Sequence, residues 1–205
     1  MIKNRKNQKG FTLIELLVVI AIIAILAVVV VLTLNPAELL RQARDSNRIS
    51  DFATMKSALA LYAIDVSTTT AMYGNQSGDA STDLYTSFAT SGINTAFTGP
   101  TNWGFLAAEG YATVTSTATR LVDGTGWIPV NLNWISSGAP ISSYPIDPVN
   151  KGNNLYVYAA STTVFKIATK MESAKYITGG SGDIETGDGG LSTSTYEQGS
   201  NVTGL

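Results

Sequence analysis

The sequence predicts an α+β fold: a long N-terminal α-helix followed by a domain that contains β-strands. Three observations carry the expectation. Residues 16–32 are seventeen consecutive apolar side chains, a run of helix rather than strand length. Beyond residue 37, Phe52, Met55, Leu59, Tyr62 and Val66 recur at spacings of three and four, which marks one buried face of an amphipathic helix. Residues 155–160 and 164–169 alternate in character and are separated by Ser161, Thr162 and Thr163, the pattern of a β-hairpin.

Composition narrows the function before any motif is considered. With the apolar run set aside, the 205-residue chain leaves room for one domain of about 140–170 residues, a common size. The formal charge is −2, with 13 Lys and Arg against 15 Asp and Glu. Four of the cations, Lys3, Arg5, Lys6 and Lys9, precede Gly10, and no anion does. The chain beyond Gly10 therefore holds nine cations against fifteen anions, a net −6, which argues against nucleic-acid binding as its bulk property. There is no cysteine and no histidine. That removes disulfides, thiolate chemistry, Ser–His and Cys–His dyads and histidine-ligated metals. Neither a P-loop nor a dinucleotide-binding glycine motif occurs. No enzyme is expected, and no cofactor beyond the calcium considered below.

A helix over residues 11–34 is long enough to cross a membrane. At about 1.5 Å per residue it spans roughly 36 Å, against about 30 Å of hydrocarbon. The positive-inside rule keeps residues 1–10 in the cytoplasm and places the rest outside. A cleaved secretory signal fits less well, because the apolar core is too long and Asn35, Pro36, Ala37 and Glu38 follow it in place of a small-x-small site. An ordinary uncleaved anchor explains the length but not Glu15. A carboxylate within a bilayer costs a few kcal/mol on insertion scales. Glu15 makes sense if a cation meets it. The α-amino group of a neighbouring copy cleaved between Gly10 and Phe11 is such a cation. The pair would set register, as one buried polar group does in a coiled coil.

The stretch KGFTLIELLVVIAIIAILA at residues 9–27 resembles the class III leader and N-terminal helix of type IV pilins and type II secretion pseudopilins. The short basic leader, Gly10, Phe11 and Glu15 fall where that family has them. The resemblance implies cleavage after Gly10 by a prepilin peptidase, methylation of the new Phe11 amine, and pairing of Glu15 with the amine of an adjacent subunit during assembly. A second region, YPIDPVN, LYVYAAST and FKIATKMES within residues 144–173, resembles the C-terminal half of pseudopilin-like pilins. There a Pro-Asp-Pro-like turn leads into a hairpin that ends in a Met-Glu segment.

Together the two resemblances imply the type IV pilin fold, a long N-terminal helix, kinked near Pro36, packed against a small antiparallel β-sheet. The implied division is a cleaved basic leader at 1–10, a transmembrane and filament-core helix at 11–34, the amphipathic half of the helix at 35–66, and a globular domain with a variable loop at 67–205. The implied partners are other copies of the chain in a helical homopolymer, the prepilin peptidase, a pilus or secretion assembly platform, and the membrane before assembly. No nucleic acid is expected. The precursor belongs in the inner (cytoplasmic) membrane and the assembled chain in an extracellular pilus. The implied function is a structural pilus subunit. A minor pilin or secretion pseudopilin acting in adhesion, DNA uptake or secretion shares the same leader, so the leader does not separate these roles.

Asn35, Pro36, Ala37 and Glu38 read as a helix start: Asn is a good N-cap, Pro is favoured at the first helical position, and Glu three residues after Asn completes a capping-box-like arrangement. Pro36 also removes a backbone donor and crowds the preceding turn, so a kink or melted turn is expected at residues 32–35. In the resembling family a proline here accompanies helix melting on assembly, which makes Pro36 an assembly candidate. Arg41, Arg44, Asp45, Arg48, Asp51 and Lys56 form the polar remainder of the helix. They read as a solvated face, with charge complementarity between subunits as the functional alternative.

Further along, residues 67–101 are dominated by Ser, Thr, Gly, Ala and Asn and read as a long loop with a short helical piece near 84–90. Residues 105–109 read as a short helix ended by Gly110. Residues 112–120 are strand or loop, and 126–134 begin extended because of Pro129. The glycine-rich, acidic stretch 179–190 carries Asp183, Glu185 and Asp188. Oxygen ligands on a flexible loop suit calcium, although the spacing is not that of an EF-hand; a plain solvated loop is the other reading. Residues 192–205 read as a polar tail, with Tyr196 and Leu205 as anchors.

Overall fold

The computed structural model describes residues 10–66, 83–88, 114–116, 119–160 and 164–200. The basic leader before Gly10, the helix expected at 105–109 and the anchor Leu205 lie outside the described residues. The chain divides into two compact units, Met1–Leu40 and Arg41–Leu205.

The first unit is built on α1, Leu13–Leu34. Its start is fixed by a capping box: Thr12 adopts an extended backbone and its side chain accepts from the Glu15 amide, while the Glu15 carboxylate takes the Thr12 amide. Its end is fixed by Asn35, which adopts a left-handed conformation, φ 39 and ψ 74. Asn is one of the few non-glycine residues that accepts this conformation at small cost, and a left-handed residue is a common helix stop. Helix α2, Pro36–Asp65, begins at the next residue.

The break therefore falls where Pro36 predicts it, but its chemistry differs from the expected N-cap. An N-cap side chain needs an extended backbone, and Asn35 is left-handed. It acts as the C-cap of α1, and its main-chain carbonyl accepts from the Glu38 and Leu39 amides at 3.0 and 3.3 Å.

The second unit packs α2 on a five-stranded sheet. The strands are β1 Asp83–Thr86, β2 Val114–Ser116, β3 Val157–Ala160, β4 Phe165–Thr169 and β5 Tyr196–Gly199, in the spatial order β2-β1-β3-β4-β5. From β1 through β3 and β4 to β5 each strand is antiparallel to its neighbour, and β2 adds to β1 in parallel at the edge. The β3–β4 hairpin has Tyr158 opposite Ile167 and Ala160 opposite Phe165. Tyr156, Tyr158, Phe165 and Ile167 all join the cluster formed with Phe52, Met55, Leu59 and Tyr62 of α2. All five apolar positions read as the buried face of α2, Phe52, Met55, Leu59, Tyr62 and Val66, are buried.

The opposite sheet face holds a smaller cluster of Leu84, Leu155, Val157, Ala159 and Ala168. Every residue of β3 and β4 is buried, so this sheet is covered on both sides.

Two elements correct the sequence reading. The helical piece expected near 84–90 is strand β1, with Leu84 paired to Ala159. The expected polar tail contains β5, and Tyr196 stacks on Phe52 with ring centroids 5.5 Å apart. The segment from 126 to 134 closes in a 3-10 turn, Leu132–Trp134. Trp127 beneath it is buried and donates from Nε1 to the Pro145 carbonyl at 3.0 Å.

Candidate functional site

Gly10 and Phe11 lie exposed ahead of α1. A side chain built at Gly10 would meet no atom within 4 Å, so packing in the described chain does not demand glycine there. Phe11 is 92% exposed. Glu15 takes three contacts from Thr12: the amide donates to Oε2 at 2.8 Å, the hydroxyl donates to Oε2 at 2.9 Å, and the Glu15 amide donates to the Thr12 hydroxyl at 3.3 Å. Placing the carboxylate in the first turn also sets it against the positive end of the helix dipole. Thr12 was not singled out from the sequence, although Thr-x-x-Glu ahead of an apolar run is the capping-box signature.

From Leu13 to Val31 the helix is long and apolar enough to cross a membrane, and none of that window is buried. Its large side chains, among them Leu16, Ile22 and Val29, are about half exposed or more. Phe11, Ile14, Glu15, Val18 and Val19 line an open hollow on one side. Thr33 alone adds polarity near the far end, and its hydroxyl is satisfied by the Val29 and Val30 carbonyls.

In the second unit the polar side of α2 departs from a solvated face. Asp45 and Arg48 are buried. The Arg48 guanidinium donates from Nε to Asp147 Oδ2 at 2.7 Å, from Nη2 to Asp147 Oδ1 at 3.0 Å, and from Nη1 to Asp45 Oδ1 at 2.7 Å. It also meets Glu172, which Arg44 grips from the other side. Asp45 in turn accepts from the Glu172 and Ser173 amides, and Asp147 accepts from the Val149 and Asn150 amides. One guanidinium thus ties α2 to the Pro-Ile-Asp-Pro turn and to the Met-Glu segment after β4. Burial lowers the Arg48 pKa, but its carboxylate partners outweigh burial and hold it above the ordinary arginine value. Burial likewise raises Glu172, and the hydrogen bonds from Arg44 and Arg48 overcome it, leaving the carboxyl below the usual range.

Asp183, Glu185 and Asp188 are not gathered into a ligand set; among the described residues no group of three or more acidic side chains could hold a metal ion. Each carboxylate is turned toward its own set of main-chain amides. Asp183 accepts from the Gly179 amide and the Thr186 hydroxyl, each at 2.8 Å, which lowers its pKa. Glu185 is buried and accepts from the Met171 and Thr178 amides at 3.1 and 3.0 Å. Burial nonetheless leaves its carboxyl raised. Asp188 accepts from the Gly190 and Glu197 amides.

Among known proteins, residues 5–31 match the family model of the prokaryotic N-terminal methylation motif, the class III prepilin leader typical of type IV pilins and pseudopilins. No curated protein and no solved structure matches the chain. The matched segment holds Gly10, Phe11, Thr12, Glu15 and most of α1. The match supports a prepilin-type precursor whose N-terminal helix is long and apolar enough to cross a membrane. The motif points to a structural, pilin-type protein.

Proposed function

We propose that this chain is the structural subunit of a type IV pilus. Prepilin peptidase cuts between Gly10 and Phe11, the Phe11 amine is methylated, and the mature chains polymerise through α1. The observation that carries the reading is the pairing of the methylation motif with a helix whose large apolar side chains, among the described residues, are exposed. Such a surface is tolerable in lipid and is equally suited to packing against other copies. Leaving lipid returns less free energy than leaving water. Close packing and the Glu15 pairing must therefore supply part of the drive.

In the free chain Glu15 is satisfied by Thr12. On assembly its carboxylate faces the amine of a neighbouring Phe11, exchanging a neutral partner for a charged one. The exposed Gly10 suits a peptidase that needs an unobstructed backbone at the bond it cuts.

Electron microscopy of surface filaments, with mass spectrometry of their bulk component, tests the proposal. The expected result is this chain as the main component, starting at an N-methylated Phe11. Filaments that contain it only in traces favour a minor pilin or a secretion pseudopilin. A chain found with residues 1–10 attached contradicts the reading altogether.

A further inference from the structure

The sheet face opposite α2 carries a cluster that the assembly reading does not use. Lys166 on β4 and Glu197 on β5 both have fully buried side chains. Phe165 and Ile167 belong to the α2 core, so Lys166 between them lies on the other face. In the β4–β5 register Ala168 is opposite Glu197, which makes Lys166 a diagonal neighbour of Glu197 on that face. The Lys166 Nζ lies 3.9 Å from Glu197 Oε2.

The surroundings of that carboxyl are built. The Leu191 amide donates to Oε2 at 2.9 Å and the Thr195 hydroxyl donates to Oε1 at 3.3 Å. Asp188 accepts the Glu197 amide, and its charge acts on both Lys166 and Glu197. Gly190 allows the loop to close over the carboxyl, since a Cβ there would sit 1.9 Å from Oε2.

A buried amine beside a carboxyl carbon, hydrogen-bond donors on both carboxyl oxygens and an adjacent acid are the components of amide formation. We infer that Lys166 and Glu197 form an intramolecular isopeptide bond that staples β5 to β4. The Lys166 ammonium first passes a proton to the Glu197 carboxylate, giving a neutral amine and a carboxylic acid. Burial disfavours the charged form of each partner and helps this exchange. Nζ then attacks Cδ, and the Leu191 amide and Thr195 hydroxyl hold the oxygens as charge develops on them.

Asp188 carries the proton from Nζ to the departing hydroxyl. The C–N bond forms, the C–O bond breaks, and one water leaves. No oxidant, reductant or other co-reactant is needed. Holding the two groups together supplies the entropic part of the barrier, and the product replaces two buried charges with a neutral amide, removing their desolvation cost. In a chain without cysteine, this bond gives the last described strand the covalent tie that a disulfide supplies elsewhere. The inference stands whether or not the chain forms pili.

The test is intact mass and tryptic mapping of the full chain purified from its native membrane or filament fraction. The expected chain is lighter by one water than its sequence with N-terminal processing. Its digest contains a branched peptide joining the Lys166 segment to the Glu197 segment. Lys166→Met keeps an unbranched apolar stem but has no nucleophile; it should recover the full mass and give unbranched peptides. A wild-type chain of full mass, cut by trypsin after Lys166, overturns the inference. So does a Lys166→Met chain that still lacks the water.

Discussion

On α1, Leu16, Ile22 and Val29 are at least half exposed, whereas Asp45 and Arg48 in the second unit are buried. Apolar side chains face outward in one region and charges face inward in the other. Each arrangement is tolerable only because of what meets the group. The charges of the second unit are met within the chain, as Arg48 is by Asp45, Asp147 and Glu172. On the proposed function, the partners of α1 lie outside it, in lipid or in other copies. Substitutions in the second unit should therefore register as lost stability of the isolated chain. Substitutions in α1 should leave that stability alone and register as lost insertion or assembly.

The largest expected effect comes from breaking an internal partnership. Arg48→Ala leaves three carboxylates around a vacated site and should destabilise the unit by about 3–5 kcal/mol, read by denaturant unfolding of the detergent-solubilised chain. Phe52→Ala, which removes the ring between Tyr156 and Tyr196, should cost about 3–5 kcal/mol. Ile22→Ala on α1 should stay within about 0.5 kcal/mol in the same assay. A comparable loss from Ile22→Ala would dissolve the contrast between the regions.

Next in size is the external partnership. Ala24→Arg places a charge mid-helix and should cost about 2.5–3.5 kcal/mol of insertion. Membrane fractionation should show chain lost from the membrane, while the unfolding midpoint of the second unit stays put.

A smaller effect sharpens the account of buried charge. The folded pKa of Glu172 lies below its ordinary value. Its contribution is therefore present above about pH 4.3 and is lost as pH falls through the depressed folded value. Glu185 and Asp188 are raised by burial, so their protonation favours the folded state and works against that loss. Glu172→Gln should flatten the acid limb of a stability–pH curve, measured by unfolding between about pH 5 and pH 3. An unchanged acid limb would show that Glu172 titrates as it does when unfolded.

The smallest expected effect is none. Because Asp183, Glu185 and Asp188 each accept from main-chain amides of the chain itself, removing divalent cations with a chelator should leave the melting temperature unchanged. A fall reversed by calcium would establish a site in this loop.

What could be read from sequence follows the range of the interactions. The apolar run, the α2 face and the β3–β4 hairpin are local periodicities, and each is present. β1, β2 and β5 are three or four residues long and lie in Ser-, Thr- and Gly-rich sequence. Their strand character comes from pairing with a neighbour rather than from their own propensity. The Arg48 site was invisible because its partners Asp147 and Glu172 are 99 and 124 residues away. Glu15 stood out as a lone charge beside an apolar run, while its nearest partner, Thr12, was hidden behind the membrane reading of the same segment. The acidic loop suggested calcium by composition, but whether carboxylates converge depends on backbone geometry that composition does not encode.

In the proposed assembly Glu15 acts between copies, beyond its part in capping α1. Glu15→Gln tests it most directly, because Gln at this position still completes a capping box with Thr12 but carries no charge for a neighbouring amine. The measurement is the fraction of chain recovered in sheared filaments, set beside the unfolding midpoint of the solubilised chain. The expected result is an unchanged midpoint and a loss of most filaments. Filaments at the wild-type level from Glu15→Gln would contradict it and leave Glu15 as a helix cap.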